Sequence, residues 1–120
     1  MIKIIDKKIN NDELKVLLEQ DFGDMAKVVV DVEKGVVGIG GDLHADAEQL
    51  MIEKGCVQKN LYGANIYPFS DPDHRIEYVA LINIRPQQDN PSMEIQNPEI
   101  RNKVKSYIEK FVIGNDEKLV

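Results

Sequence analysis

The densest set of chemistry-bearing side chains lies in Gly40-Gly41-Asp42-Leu43-His44-Ala45-Asp46. Carboxylate oxygens and an imidazole nitrogen are ligands for a divalent metal, so Asp42, His44 and Asp46 are the metal candidates. The same His44, oriented by a neighbouring carboxylate, is a candidate general base. In the plainer reading Asp46 caps a helix and His44 packs or hydrogen-bonds at its start. A second cluster is Asn83-Ile84-Arg85-Pro86-Gln87-Gln88-Asp89-Asn90. Arg85 presents a planar fork of donors suited to a carboxylate or phosphate, with Asn83 and Asn90 to either side. Its plainer role is an ion pair with an acid such as Asp42 or Asp31. The ligand-binding candidates are therefore Asp42, His44, Asp46, Asn83, Arg85 and Asn90.

Other motifs are incomplete. Gly38-Ile39-Gly40 begins like a dinucleotide fingerprint, but the third glycine would fall at Leu43. No Gly-Lys-Ser/Thr triplet is present, which excludes a P-loop. Gly41-Asp42-Leu43-His44 is locally similar to the opening motif of calcineurin-like metallophosphoesterases. Those enzymes need further Asp, Asn and His motifs, and His74 is the only other histidine. The single cysteine, Cys56, has no base beside it in sequence and reads as an inert thiol. No complete motif calls for a cofactor; a divalent metal is the one that the Asp42/His44/Asp46 spacing would take.

These residues are positioned by elements that the hydrophobic pattern predicts. Met1 to Ile5 reads as a short strand. Asn10 caps a helix, with Glu13 reaching back to it, Leu14, Leu17, Leu18 and Phe22 on one stripe, and Gly23 as the stop. Ala26–Val32 and Val36–Gly40 form a hairpin about Glu33-Lys34-Gly35. A helix spans Asp42 to Gly55, with Asp46 and Gln49 as a capping pair and Leu43, Ala47, Leu50 and Met51 as its apolar stripe. Asn60–Tyr67 and Arg75–Arg85 are strands around a loop rich in proline and aspartate. The second is apolar on both faces, which predicts a central strand. Pro86–Gln96 is a polar loop, and Asn97-Pro98 opens a helix lined by Ile100, Val104, Tyr107, Ile108 and Phe111. The order β-α-β-β-α-β-β-α predicts an α+β fold: three helices on a small, mixed or mainly antiparallel sheet of about five strands. One domain is expected over residues 1–114, with a flexible tail over 115–120.

Composition narrows the partners. Charged residues are 30% and hydrophobic residues 42% of the 120 positions, which are values for a globular chain. The net charge of −6 argues against a nucleic-acid partner, because an acidic surface repels phosphates. No apolar run approaches a signal peptide or the roughly 18 residues of a membrane span. With one cysteine, the expected setting is a reducing cytoplasm. Dimerisation through an apolar patch at Ile66, Tyr67 and Phe69 is a further expectation.

Four stretches together form a recognisable pattern: Val28–Val32, Gly-Gly-Asp-Leu-His-Ala-Asp from Gly40, Leu61-Tyr-Gly-Ala-Asn-Ile-Tyr-Pro68, and Ile82-Asn-Ile-Arg-Pro86. On these the chain resembles a family of short prokaryotic proteins catalogued as a domain of unknown function. The resemblance runs from the first helix through Glu99-Ile100-Arg101 and implies one intact domain without implying an activity. Members often carry Ser, Gly and Arg where this chain has Gln87, Asp89 and Pro91. Since no catalytic constellation is complete, the expected function is a non-catalytic ligand-binding or protein-interaction module. The alternative is a metal-assisted or His-dependent hydrolase using Asp42, His44 and Asp46.

Overall fold

Three helices and five strands condense from these signals in the computed structural model, which describes residues 1–120. Asn10 accepts a hydrogen bond from the Glu13 amide at 2.8 Å and so starts α1, Asn11–Gln20. The Glu13 carboxylate does not complete the box, because it pairs with Lys3 of β1, Ile2–Ile5, at 2.8 Å. Leu14, Leu17 and Leu18 face inward, whereas Phe22 lies beyond the helix end and is 45% exposed. The hairpin is β2, Ala26–Asp31, and β3, Val36–Gly40. In its turn the Asp31 carboxylate accepts from the Glu33 and Lys34 amides at 2.9 and 2.8 Å.

The later elements are α2, His44–Glu53; β4, Leu61–Ile66; β5, Ile76–Glu77; and α3, Pro98–Phe111. Asn97 caps α3 through the Glu99 amide at 2.8 Å, with Pro98 at the first helical position. The strands form one sheet in the order β1-β3-β2-β4-β5, and every neighbouring pair is antiparallel. Alternation along β2 and β4 divides the core into two layers. Val28, Val30, Ala64 and Ile66 pack with α1 and α3, whereas Val29 and Leu61 pack with Ala47 and Met51 of α2. The result is a three-layer α+β domain, the class predicted above. No helix is long and apolar enough to cross a membrane.

Four expectations are corrected. The run Arg75–Arg85 is not a central strand: β5 is two residues long and lies at the sheet edge. After a single bridge between Val79 and Glu94, the chain leaves the ladder in a 3₁₀ turn at Leu81–Asn83. Helix α2 begins without a side-chain cap, on Leu43, so Asp46 lies in its first turn rather than at the cap. Its buried stripe is His44, Ala47 and Met51, and Leu43 is 58% exposed. The expected patch at Ile66, Tyr67 and Phe69 loses Ile66, which is fully buried in the larger core layer, and leaves Phe69 exposed with Tyr67 half-buried. The last residues are anchored rather than frayed. Leu119 is buried in the same layer, and the Arg75 guanidinium, itself buried, donates to the carbonyls of Ser70, Gly114 and Glu117.

Candidate functional site

Beyond β5 the outer edge of β4 would expose unpaired backbone groups, which a buried edge cannot leave unsatisfied. The side chain of Asn83 takes the place of a neighbouring strand there. Its Oδ1 accepts from the Gly63 amide at 2.8 Å, and its Nδ2 donates to the Gly63 and Met93 carbonyls at 2.9 and 3.0 Å. A primary amide has two donors and an oxygen that can accept twice, so both donors and one of the two acceptor positions are used. Asn90 holds the returning segment in the same manner. Its Nδ2 faces the carbonyls of Asn83, Ser92 and Glu94 at 2.8–3.1 Å, and its Oδ1 accepts from the Gln96 amide at 2.9 Å. Backbone bonds between Arg85 and Asn90 at 2.7 and 3.1 Å close the loop between them. Asn83 and Asn90 therefore fasten the segment whose Leu81, Ile82 and Met93 line the site.

The turn stapled by Asn83 lies against α2, and Gly63 makes that approach feasible. A Cβ at Gly63 would sit 2.6 Å from the Cβ of Ala80 and 3.0 Å from Cδ2 of His44. His44, 8% exposed, opens α2 and places its Nε2 2.8 Å from the Ala64 carbonyl. Because a carbonyl only accepts, Nε2 carries the proton, and the neutral ring keeps its lone pair on Nδ1. Burial pushes the His44 pKa below the usual histidine value and the nearby Lys27 charge adds to this, against the Ala64 carbonyl and Asn65, which favour the charged ring. His44 is thus a neutral, polar floor group with one nitrogen already used.

Above it lies a cavity of about 300 Å³ whose walls are mostly apolar. Leu43 at the cap of α2, Ala45 in its first turn, Val79, Ala80, Leu81, Ile82 and Met93 line it. Lys27, His44 and Asn65 are its polar groups. Leu43, Leu81 and Met93 are 58%, 70% and 40% exposed, so the rim is an apolar surface open to solvent.

Arg85 sits on the other side of the same turn. Its guanidinium pairs with Glu48 at 3.1 Å and lies 5.2 Å from the centre of the Tyr62 ring. The expected ion pair is therefore made with Glu48, and neither Asp31 nor Asp42 is its partner. Glu48 lies one helical turn after His44, so α2 presents both to the 81–85 segment.

Asp42 and Asp46 are not part of this assembly. Both are exposed and line a separate hollow with Gln20 and Asp21, where Asp21 accepts from the Gly41 amide at 3.0 Å. The Asp-x-His-x-Asp spacing thus divides: His44 turns into the protein while the two aspartates turn out. No three His, Cys, Asp or Glu side chains converge as a metal site. Cys56 is half-buried beside Asp31, and burial first, then Asp31, pushes its thiol above the usual range, away from a nucleophilic thiolate.

A family model described as a protein of unknown function, DUF5674, matches residues 3–111. The chain belongs to that family. No curated protein and no solved structure matches it. In this DUF5674 member the strings that form the resemblance meet in space at Gly63: His44, which lines the cavity, packs against it, and Asn83 bonds its backbone. Asp89, where glycine is common in the pattern described above, is the one non-glycine residue with positive φ, at 59°. The residues that sequence reasoning missed are Leu43, Leu81 and Met93 on the cavity rim and Glu48 beside Arg85. For the rim, the usable signal was the doubly apolar run ending at Ile84.

Proposed function

We propose that this chain is a non-catalytic binding module that takes a small, largely apolar ligand in the cavity floored by His44. The observation that carries the reading is the cavity itself: apolar walls and rim around a few convergent polar groups, one with a shifted pKa, are the usual make-up of a ligand pocket. Catalysis is not supported by the surroundings of His44. Its Nε2 is held by the Ala64 carbonyl, and no carboxylate orients the ring.

A neutral apolar probe, 1-octanol, tests the reading by amide chemical-shift titration. Saturable shifts should concentrate at Leu43, His44, Ala80 and Met93. They should be lost in Ala45→Trp, where an exposed position on the cavity wall is filled by an indole. Absence of saturation, or unchanged binding in the filled variant, would refute it.

A further inference from the structure

The apolar cavity has a polar neighbour across the Leu81–Ile82 turn. Those two residues line both it and a second cavity of about 480 Å³, whose other walls include Glu48, Gln58, Lys59, Arg85 and Gln87. The Arg85 side chain is only 10% exposed, and its Nη1 has no hydrogen-bond partner although Nη2 is bonded to Glu48. Lys59 is exposed and enters none of the molecule's salt bridges. Two cations against one carboxylate leave a single net positive charge in this cavity, on a protein whose overall charge is −6. The spacing between the cavities is short, because His44 and Glu48 stand one turn apart on α2, about 6 Å along its axis.

We infer that the two cavities act together and take a monoanionic amphiphile, an apolar chain ending in a carboxylate. This rests on the apolar-pocket reading above and adds a head group to it. The chain lies over His44 between Leu43 and Met93, crosses at Leu81, and delivers its carboxylate to the exposed Lys59 ammonium, with the shielded Arg85 guanidinium behind it. One net positive charge matches one carboxylate. A phosphate dianion would leave a negative charge facing Glu48, whose own carboxylate is nearly as buried as Arg85. An eight-carbon chain is long enough to reach from one cavity to the other across a single helical turn.

Octanoate and 1-octanol share that chain and differ in charge, so their comparison is the test. At pH 7.5 and low salt, octanoate should bind the wild-type chain about fivefold more tightly than 1-octanol, the weight of one partly exposed ion pair. Lys59→Gln should abolish the preference without changing 1-octanol binding, and 0.5 M NaCl should diminish it. Lys59 is exposed and only its backbone carbonyl is bonded, to Gln88, so the variant keeps the fold. Equal affinities in the wild type, or a preference that survives Lys59→Gln, overturn the head-group assignment and leave the apolar pocket standing. If neither compound binds, both readings fall.

Discussion

Replacing Asn83 by aspartate keeps the shape of the staple and inverts half of its chemistry. One oxygen of the introduced carboxylate still accepts from the Gly63 amide, while the other faces the Gly63 and Met93 carbonyls, which now approach at 2.9 and 3.0 Å. The buried Gly63 acceptor is left unsatisfied at about 1–3 kcal/mol, while the Met93 carbonyl keeps its bond from the Ala80 amide, and an ionised group is placed against both carbonyls at a position with no solvent exposure. Together these cost about 4–5 kcal/mol at pH 7, a large part of the roughly 5–15 kcal/mol that holds a domain together. Protonation relieves most of it, because a carboxyl O–H can donate to the Gly63 carbonyl and restore the paired geometry, leaving a loss of about 1–2 kcal/mol. The difference of about 3 kcal/mol corresponds to a carboxyl pKa raised by about 2 units. A raised acid contributes its stability below its unfolded pKa and loses it as pH rises through the folded value, so N83D weakens between about pH 4 and pH 6. Urea denaturation of the wild type, N83D and N83A across pH 4.5–7.5 measures this. If N83D matches the wild type to within about 1 kcal/mol at pH 7, the argument that Asn83 substitutes for a strand is wrong.

Four further outcomes follow from the same geometry. Gly63→Ala should lose about 1–3 kcal/mol through its clash with Ala80, and the double variant with Ala80→Gly should recover part of it; strict additivity in thermal melts would contradict the contact. Wild-type stability should fall as pH drops below 6.5, at no more than about 1.4 kcal/mol per pH unit, since the unfolded chain takes up a proton that folded His44 refuses; His44→Gln should flatten this segment of the curve. Leu119→Ala should cost about 2–4 kcal/mol by denaturant titration, whereas a frayed end would register nothing. Asp89→Gly should be neutral or stabilising by up to about 1 kcal/mol, because φ at this position is 59°; a clear loss of melting temperature would show that the aspartate side chain is needed.

The legible parts of the fold were those with local causes. Asn10 and Asn97 announce helices because capping is decided within three residues, and the valines of β2 alternate between two core layers as the pleat requires. Arg75–Arg85 misleads for a reason that bears on the site. Ile76, Tyr78 and Ala80 do turn toward the protein, but Leu81 and Ile84 are apolar because they border cavities. A run that is apolar on both faces reads as a buried strand, and here it marks a pocket lip. The separation of His44 from Asp42 and Asp46 was illegible for a different reason: spacing cannot reveal that α2 starts on Leu43 and rotates one side chain inward and two outward. Arg85 choosing Glu48 depends on a contact across 37 positions, which no local pattern encodes.

Side-chain amides, rather than a continuous ladder, fasten residues 81–96 to the sheet, and this gives the wall its own opening equilibrium. A segment held by Asn83 and Asn90, with the Arg85–Glu48 pair and the Gln88 bonds to Lys59 and Tyr62 beside them, is released when these few side-chain bonds let go, while β2, β3 and β4 stay paired. Such a unit exchanges its amide hydrogens together, at a free energy below that of global unfolding. Leu81 and Ile82 belong to both cavities, so one excursion would empty both at once. Occupancy would then be recorded as slowed exchange at Asn90 and Gln96, amides that no ligand touches.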